Sequence, residues 1–253
     1  PEKEQERELC ILLYKALREY TGRDLPWGIL TGVRPVKVLS KLTDAQAFQS
    51  LLVSPRKLAV SRRIEQVQKP LADSIPENSF SLYVSIPFCP TRCSYCSFVS
   101  HSVNSAAARL DEYLGRMMEE MRQLSTISRH LGLVPDTIYF GGGTPTVLSA
   151  EQLKMLFSAL ECFDLSHIRE FTVEAGRPDT ITPEKLEAIK AAGVGRISVN
   201  PQTMNDSVLK AIGRSHDSRQ TEEAFLMARE TGFDVINMDL IAGLPTDTFD
   251  SFA

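Results

Sequence analysis

The segment Ile86-Pro-Phe-Cys-Pro-Thr-Arg-Cys-Ser-Tyr-Cys-Ser-Phe98 holds three cysteines, Cys89, Cys93 and Cys96, with the spacing C-x3-C-x2-C. Cysteine thiolates bind iron–sulfur clusters, and a four-iron cluster usually takes four of them. Both remaining cysteines of the chain lie more than 60 residues away in sequence. Three cysteines would therefore leave one iron open to another ligand. The segment predicts a [4Fe–4S] cluster that takes part in chemistry as well as carrying electrons.

Other uses of three clustered cysteines fit the segment less well. A structural zinc site needs four ligands, usually from paired cysteines or histidines, and His101 is the nearest histidine and has no partner nearby. A disulfide would leave one thiol over, and packed apolar cysteines would not need this spacing. The distant Cys10 and Cys162 lie in helical patterns, and we expect them to be packed thiols.

Composition narrows the class of protein. The 253 residues are 24% charged and 43% hydrophobic, with a formal net charge of −4. These values are typical of a globular protein, and no apolar run approaches the roughly 20 residues of a membrane span. No basic stripe indicates nucleic-acid binding. The charged first residues do not resemble a secretory signal, so with the clustered thiols we expect a reducing, cytoplasmic location.

Residues 1–78 have the pattern of a helical N-terminal extension. Residues 5–20 carry a leucine stripe with helical spacing, and 36–69 are again helical in pattern and are expected to end at Pro70. Residues 73–79 are rich in turn formers and are expected to link this extension to the rest of the chain. The predicted domains are therefore 1–78 and 79–253.

From residue 79 onward, strand patterns and helix patterns alternate. This alternation predicts βα units with parallel strands. The predicted strands are 82–86, 137–140, 171–174, 196–199 and 235–240, and the predicted helices are 106–128, 150–162, 183–192, 205–212 and 218–231.

Unusual residues stand at or just after the end of each predicted strand. The cysteine segment follows the first strand and glycines 141–143 follow the second, while Glu174, Gln202 and Asp239 mark the next three. A doubly wound sheet concentrates its site at one switch point, whereas a βα barrel uses all its strand ends. We therefore predict an α/β fold, a partial (β/α) barrel. A further helix beginning near 246 suggests that the barrel continues in a longer protein.

Three strings resemble the radical S-adenosylmethionine (SAM) superfamily over about residues 80–253. They are Tyr83-Val-Ser-Ile-Pro-Phe-Cys89, Tyr139-Phe-Gly-Gly-Gly-Thr-Pro-Thr146 and Asn237-Met-Asp-Leu-Ile-Ala-Gly-Leu-Pro245. Within that superfamily they are most similar to the oxygen-independent coproporphyrinogen III oxidase family. The string Pro26-Trp-Gly-Ile-Leu-Thr-Gly-Val-Arg-Pro35 resembles the branch called anaerobic coproporphyrinogen dehydrogenase.

The resemblance implies which residues hold the cofactors. The three loop cysteines would bind the cluster, and its open iron would bind the amino and carboxylate groups of SAM. Gln202 and Asp239 would accept hydrogen bonds from ribose hydroxyls, and Arg214 would pair with a carboxylate. The full set of SAM-binding residues implied is Tyr83, Gly141, Gly142, Gly143, Thr144, Glu174, Gln202, Arg214 and Asp239.

The activity implied is oxidative decarboxylation of the propionates of coproporphyrinogen III to vinyl groups in haem biosynthesis. Reductive cleavage of SAM would give a 5′-deoxyadenosyl radical that takes hydrogen from the propionate. An electron donor such as flavodoxin or ferredoxin would supply the electron. Two alternatives stay open: a haem-binding chaperone related to these oxidases, and a radical SAM enzyme that acts on haem itself.

Overall fold

The computed structural model describes residues 2–98 and 101–252, which form two compact units divided in the chain between Pro76 and Glu77. Within the first unit the described elements are α1 (Glu2–Thr21), α2 (Pro35–Leu39), α3 (Asp44–Leu51) and α4 (Pro55–Asp73). Its small core consists of Leu39, Ala47, Val53 and Leu58, with Trp27 packed against them.

Local capping divides the helical pattern of residues 36–69 into separate helices. Thr43 and Gln46 form a capping box at the start of α3, with backbone-to-side-chain hydrogen bonds of 2.9 and 3.2 Å. Leu52 ends that helix in the left-handed conformation, with φ of 57°. The Ser54 side chain then accepts a backbone hydrogen bond at the start of α4. Residues 36–69 are largely helical as predicted, but they form parts of three helices, α2, α3 and α4.

Two expectations for the first unit are wrong. Helix α4 runs past Pro70 to Asp73. Proline removes one backbone hydrogen bond, and its position in the last turn limits the cost to the helix end. Cys10 is exposed instead of packed. Tyr14, one turn later on the same face of α1, is buried, and its hydroxyl donates to Asp24 Oδ1 at 2.8 Å, whereas the packing does not extend back to Cys10.

The second unit is built around a parallel five-stranded sheet. The order of its strands across the sheet is also their order along the chain, once a short two-stranded ribbon is set aside. Sequential parallel order is the winding of a (β/α) barrel, and the predicted α/β fold with five parallel strands is confirmed. The elements are β1 (Ser79–Ile86), β2 (Phe88–Cys89), β3 (His101–Ser102), α5 (Val103–His130), β4 (Val134–Gly142), α6 (Ala150–Ser158), β5 (Glu170–Glu174), α7 (Pro183–Ala191), β6 (Arg196–Ser198), α8 (Asp206–Ala211), α9 (Ser218–Glu230), β7 (Val235–Asn237) and α10 (Phe249–Phe252).

Three phenylalanines hold the sheet to the helix that covers it. Phe140 of β4 is fully buried, and its ring centroid lies 5.1 Å from that of Phe157 on α6 and 5.7 Å from that of Phe171 on β5. The strands of a parallel sheet are covered by helices, so their side chains are apolar on the covered face. Burial of these rings supplies much of the driving force that keeps the strands together.

The strand register brings the functional segments to one edge of the sheet. Ile86 at the end of β1 pairs with Gly142 at the end of β4, and Glu174 at the end of β5 pairs with Ser198 at the end of β6. Beyond β6, Gln202 forms an isolated parallel bridge with Leu240. The carboxyl ends of all five strands therefore face the same side of the unit.

An ion pair fastens the opposite edge of the sheet. The register of β1 against β4 shifts between Phe80 and Ser81, which leaves Asp136 as an extra residue on β4. Its two carboxylate oxygens accept hydrogen bonds from Arg169 Nε and Nη2, each at 2.6 Å. The Arg169 guanidinium holds the pKa of Asp136 below its usual range, despite the opposing effect of burial. The fork joins β4 to the residue that precedes β5.

We expect Phe140→Ala to lower the free energy of unfolding by about 3–5 kcal/mol, because it leaves a cavity among three buried rings. Urea unfolding followed by far-ultraviolet circular dichroism measures the change. Phe249→Ala is the matched control, since Phe249 is 84% exposed, and it should change stability by less than about 0.5 kcal/mol. Equal effects from the two substitutions would contradict the placement of Phe140 in the core.

Candidate active site

A cavity of about 200 Å³ opens at the carboxyl edge of the sheet. Ten of the twelve residues assigned to the cluster or to SAM from the sequence line it, and they come from the ends of all five strands or from the loops that follow. These ten are Cys89, Cys93, Cys96, Gly142, Gly143, Thr144, Glu174, Gln202, Arg214 and Asp239.

The cysteine loop is held from both sides. The β2–β3 ribbon pairs its first residues with those just before α5. Ser94 N donates to Ile212 O at 3.0 Å, which ties the middle of the loop to the end of α8, and Cys96 N donates to Cys93 O at 3.1 Å. Cys93 is buried, whereas Cys89 and Cys96 are half-buried, and all are free thiols. The loop therefore presents three unpaired thiols to the cavity.

The arrangement of these thiols limits which kind of metal group they could bind. Within residues 2–98 and 101–252, no three cysteine, histidine, aspartate or glutamate side chains converge closely enough to hold a single metal ion. A zinc site needs four ligands about 2.3 Å from one ion, so the geometry does not support one. In a cubane cluster each cysteine binds a different iron, so the sulfur atoms stand further apart. Three free thiols that line one cavity have the chemistry of its ligands.

The glycine loop lies directly against the cysteine loop. A Cβ atom on Gly143 would lie 2.6 Å from Phe88 O and 2.9 Å from Cys89 Sγ, closer than any side chain allows. Gly142 has φ of 106°, a conformation that favours glycine. Thr144 follows, with its hydroxyl 3.4 Å from Cys89 Sγ. Only glycine permits this approach of the two loops.

Glu174 lies deep in the cavity wall and is held by a tyrosine. The Tyr139 hydroxyl donates a hydrogen bond to Glu174 Oε1. Burial raises the pKa of Glu174, and the nearby Asp239 adds to this, while the hydrogen bonds from Tyr139 and the Gly142 backbone N–H partly offset it. Burial and the Glu174 carboxylate together raise the pKa of Tyr139. The pair therefore places one carboxylate of raised pKa at the end of β5.

Tyr83 and Gly141 do not line the cavity. Tyr83 is 57% exposed and lies in a groove between β1 and α5, where its ring stacks on Tyr139 at a centroid distance of 5.8 Å. A Cβ on Gly141 would lie 2.7 Å from the Tyr139 ring and 3.1 Å from the Tyr83 hydroxyl. Both residues therefore support Tyr139, and through it Glu174, from outside the cavity.

The segments after β6 and β7 fix two polar residues side by side. Gln202 adopts the left-handed conformation, with φ of 68°, which is uncommon for a residue other than glycine. Its backbone N–H donates to Asp239 O at 2.9 Å, and its carbonyl accepts from Ile241 N at 2.9 Å. The Asn200 side chain accepts from Asp239 N at 3.3 Å. The backbone at Gln202 and Asp239 is therefore held in place before any ligand binds.

Arg214 spans the mouth of the cavity and keeps a free donor. Its Nη1 donates to Gly176 O and its Nη2 to the Tyr95 hydroxyl, each at 3.0 Å. Its Nε is buried and has no hydrogen-bond partner among the described residues. An unpaired buried N–H costs free energy, and an anionic ligand would remove that cost.

Seven residues that line the cavity were not assigned from the sequence, among them Tyr95, Arg177 and Asn200, whose side chains make hydrogen bonds there. Tyr95 stands between the second and third loop cysteines, Arg177 follows β5, and Asn200 follows β6. All three lie within the first few residues after a strand or inside the cysteine loop. A rule that took every polar or aromatic residue in those positions would have found them.

The comparisons agree with this geometry. Residues 83–253 match the family model described as the Radical SAM superfamily. The oxygen-independent coproporphyrinogen-III oxidase-like protein HemZ of Bacillus subtilis is 38% identical, with 99% of this chain and 52% of that protein covered. The heme chaperone HemW of Bacillus subtilis is 42% identical over 66% of this chain and 44% of its own length. Among solved structures, coproporphyrinogen III oxidase (HemN) from Escherichia coli is 32% identical with a TM-score of 0.63, covering 74% of this chain and 43% of that one.

This chain spans about half the length of the curated relatives it matches. None of the helices in its described ranges combines the length and apolar character needed to cross a membrane. The family match covers the sheet from Tyr83 in the middle of β1 onward, including the carboxyl ends of all five strands, and it confirms the resemblance drawn from the sequence motifs. The chain belongs to the radical SAM superfamily.

Proposed function

We propose that this chain binds a [4Fe–4S] cluster and SAM, and that it carries out oxidative decarboxylation of coproporphyrinogen III propionates to vinyl groups. The observation that carries the proposal is the cavity itself, where a loop of three free thiols meets a glycine loop and polar strand ends. The substrate is proposed from the relatives, since a protein named as oxidase-like is similar over 99% of the chain.

The cysteine loop would hold the cluster through Cys89, Cys93 and Cys96. Bound together, the cluster and SAM would supply a carbon-centred radical able to take a hydrogen atom from a carbon–hydrogen bond of the substrate. The protein would then hold the cluster, SAM and the substrate in fixed relative positions and exclude water. The fixed backbone around Gly143 and the ties between the cysteine loop and α8 serve that task.

The polar cavity residues suit the groups of SAM. Glu174 and Arg214 carry opposite charges on one wall, and these match the amino and carboxylate groups of an amino acid. The Arg214 guanidinium lines the cavity and would supply the positive charge that pairs with the carboxylate. Gln202 and Asp239 line the cavity and offer oxygen acceptors for ribose hydroxyls.

A second function is supported by a separate observation. The protein named heme chaperone HemW is 42% identical to this chain over 66% of this chain, so a similar domain occurs in a protein named as a chaperone. In that case the chain would contribute to haem delivery and would make no vinyl product. Product analysis separates the two functions.

The proposed oxidase is tested by an anaerobic assay on the protein with a reconstituted cluster, reductant, SAM, coproporphyrinogen III and a one-electron acceptor, which takes the electron released when each substrate radical loses carbon dioxide. We expect 5′-deoxyadenosine and vinyl products together by mass spectrometry. Cys93→Ala should lose iron and both products, because it removes one cluster ligand. Cys10→Ala is the matched control, since this exposed thiol lies outside the loop, and it should behave as the parent protein does.

Other outcomes of that assay would redirect the proposal. Deoxyadenosine without vinyl product would reject coproporphyrinogen III as the substrate and leave other tetrapyrroles, with haem first. Stable haem binding with no deoxyadenosine, in protein shown to hold its cluster, would favour the chaperone function.

Glu174 gives a prediction on pH. Because its pKa is raised, Glu174 takes up a proton at a higher pH than an ordinary glutamate does. The ionised carboxylate is the form that attracts a SAM ammonium group. The affinity for SAM should therefore be highest at pH values above this raised pKa, and it should weaken as the pH falls through the pKa. Equilibrium dialysis of SAM from about pH 5 to 8 measures the effect.

The variants for this pH series are matched in chemistry. Glu174→Gln should bind SAM more weakly at high pH and should lose the pH dependence. Glu187→Gln, at an exposed position on α7, should keep the parent profile. A Glu174→Gln protein that follows the parent curve would show that another group is responsible.

A further inference from the structure

Arg177 links the end of β5 to the cysteine loop. It is buried, only 3% exposed, and all three nitrogens of its guanidinium make contacts. Nη2 donates to Thr91 Oγ1 at 2.8 Å, and Nη1 lies 3.4 Å from Thr91 O and 3.5 Å from Cys93 Sγ. Nε donates to Asp179 Oδ1 at 3.3 Å. One side chain thus contacts both the backbone and a thiol of the loop.

A buried guanidinium stays charged and needs a counter-charge. Asp179 supplies it and is shared with His216, whose Nδ1 lies 3.7 Å from the same carboxylate oxygen and whose side chain is fully buried. Burial alone would raise the pKa of Asp179, but His216 and Arg177 outweigh burial and hold the pKa below its usual range. Asp179 therefore stays ionised and fixes the guanidinium in the orientation that faces Cys93.

A cationic N–H donor beside a ligand sulfur affects the two redox states of a cluster differently. The reduced state carries one more negative charge, so the hydrogen bond stabilises it more than the oxidised state. Hydrogen bonds to the sulfur atoms are among the factors that set cluster reduction potentials. The same guanidinium also restrains the loop through Thr91, and this second effect does not depend on the redox state.

We propose that Arg177 is a positioning residue for the cluster: it anchors the cysteine loop through Thr91, and its N–H on the Cys93 sulfur raises the reduction potential of the bound cluster. This inference rests on the proposed cluster in the cysteine loop. The two effects are separable, since Thr91→Val removes the hydroxyl anchor and keeps the N–H on sulfur.

The test uses the protein reconstituted anaerobically, with its midpoint potential measured by titration followed by electron paramagnetic resonance. Arg177→Gln should shift the one-electron reduction equilibrium about tenfold toward the oxidised state, which is about 59 mV to lower potential. Thr91→Val should keep the parent potential but release iron faster to a chelator. Arg122→Gln is the charge-matched control on exposed α5 surface and should change neither quantity.

A midpoint potential in Arg177→Gln equal to that of the parent protein would overturn the electrostatic role. If Arg177→Gln fails to fold or takes up no iron, Arg177→Lys decides, because it keeps the charge but cannot reach Thr91 and Cys93 together. A potential below the parent value would uphold the role, and parent values for both potential and iron release would overturn the proposal. Parent protein that takes up no cluster would refute the proposed function itself.

Discussion

The contact between the glycine loop and the cysteine loop is the constraint on which the site depends. Gly143 stands so close to Phe88 O and Cys89 Sγ that any side chain would force the loops apart. The parallel register of β1 against β4 creates this contact, because Ile86 and Gly142 end their strands side by side. The core of the sheet therefore sets the position of the thiols as well as the stability of the unit.

Apolar and polar residues occupy different parts of the sheet. Phenylalanines and aliphatic side chains fill the space between sheet and helices, while charged groups gather at the carboxyl edge. Each buried charge there has a partner that fixes its direction: Glu174 with Tyr139, and Arg177 with Asp179. Polar groups held in this way before a ligand binds lower the entropy cost of binding it. Nη1 and Nη2 of Arg214 are likewise fixed, by Gly176 O and the Tyr95 hydroxyl.

Much of this arrangement could be predicted from the sequence, because it depends on local spacing. The cysteine spacing, the alternation of strands and helices and the strand-end positions of Glu174 and Asp239 are all visible in the chain. Tyr83 lies level with Tyr139, three residues before Gly142, and outside the cavity lining, so its contact with SAM stays a prediction. Arg177 and the exposed Cys10 depend on tertiary packing, which no local pattern reveals.

The central claim is that three cysteines leave one iron of the cluster open to SAM. Mössbauer spectra of protein reconstituted with ⁵⁷Fe, recorded with and without SAM, test it most directly. We expect SAM to alter the signal of about one iron in four and to leave the others unchanged. Spectra that do not respond to SAM, or metal analysis that finds zinc in place of iron, would contradict it.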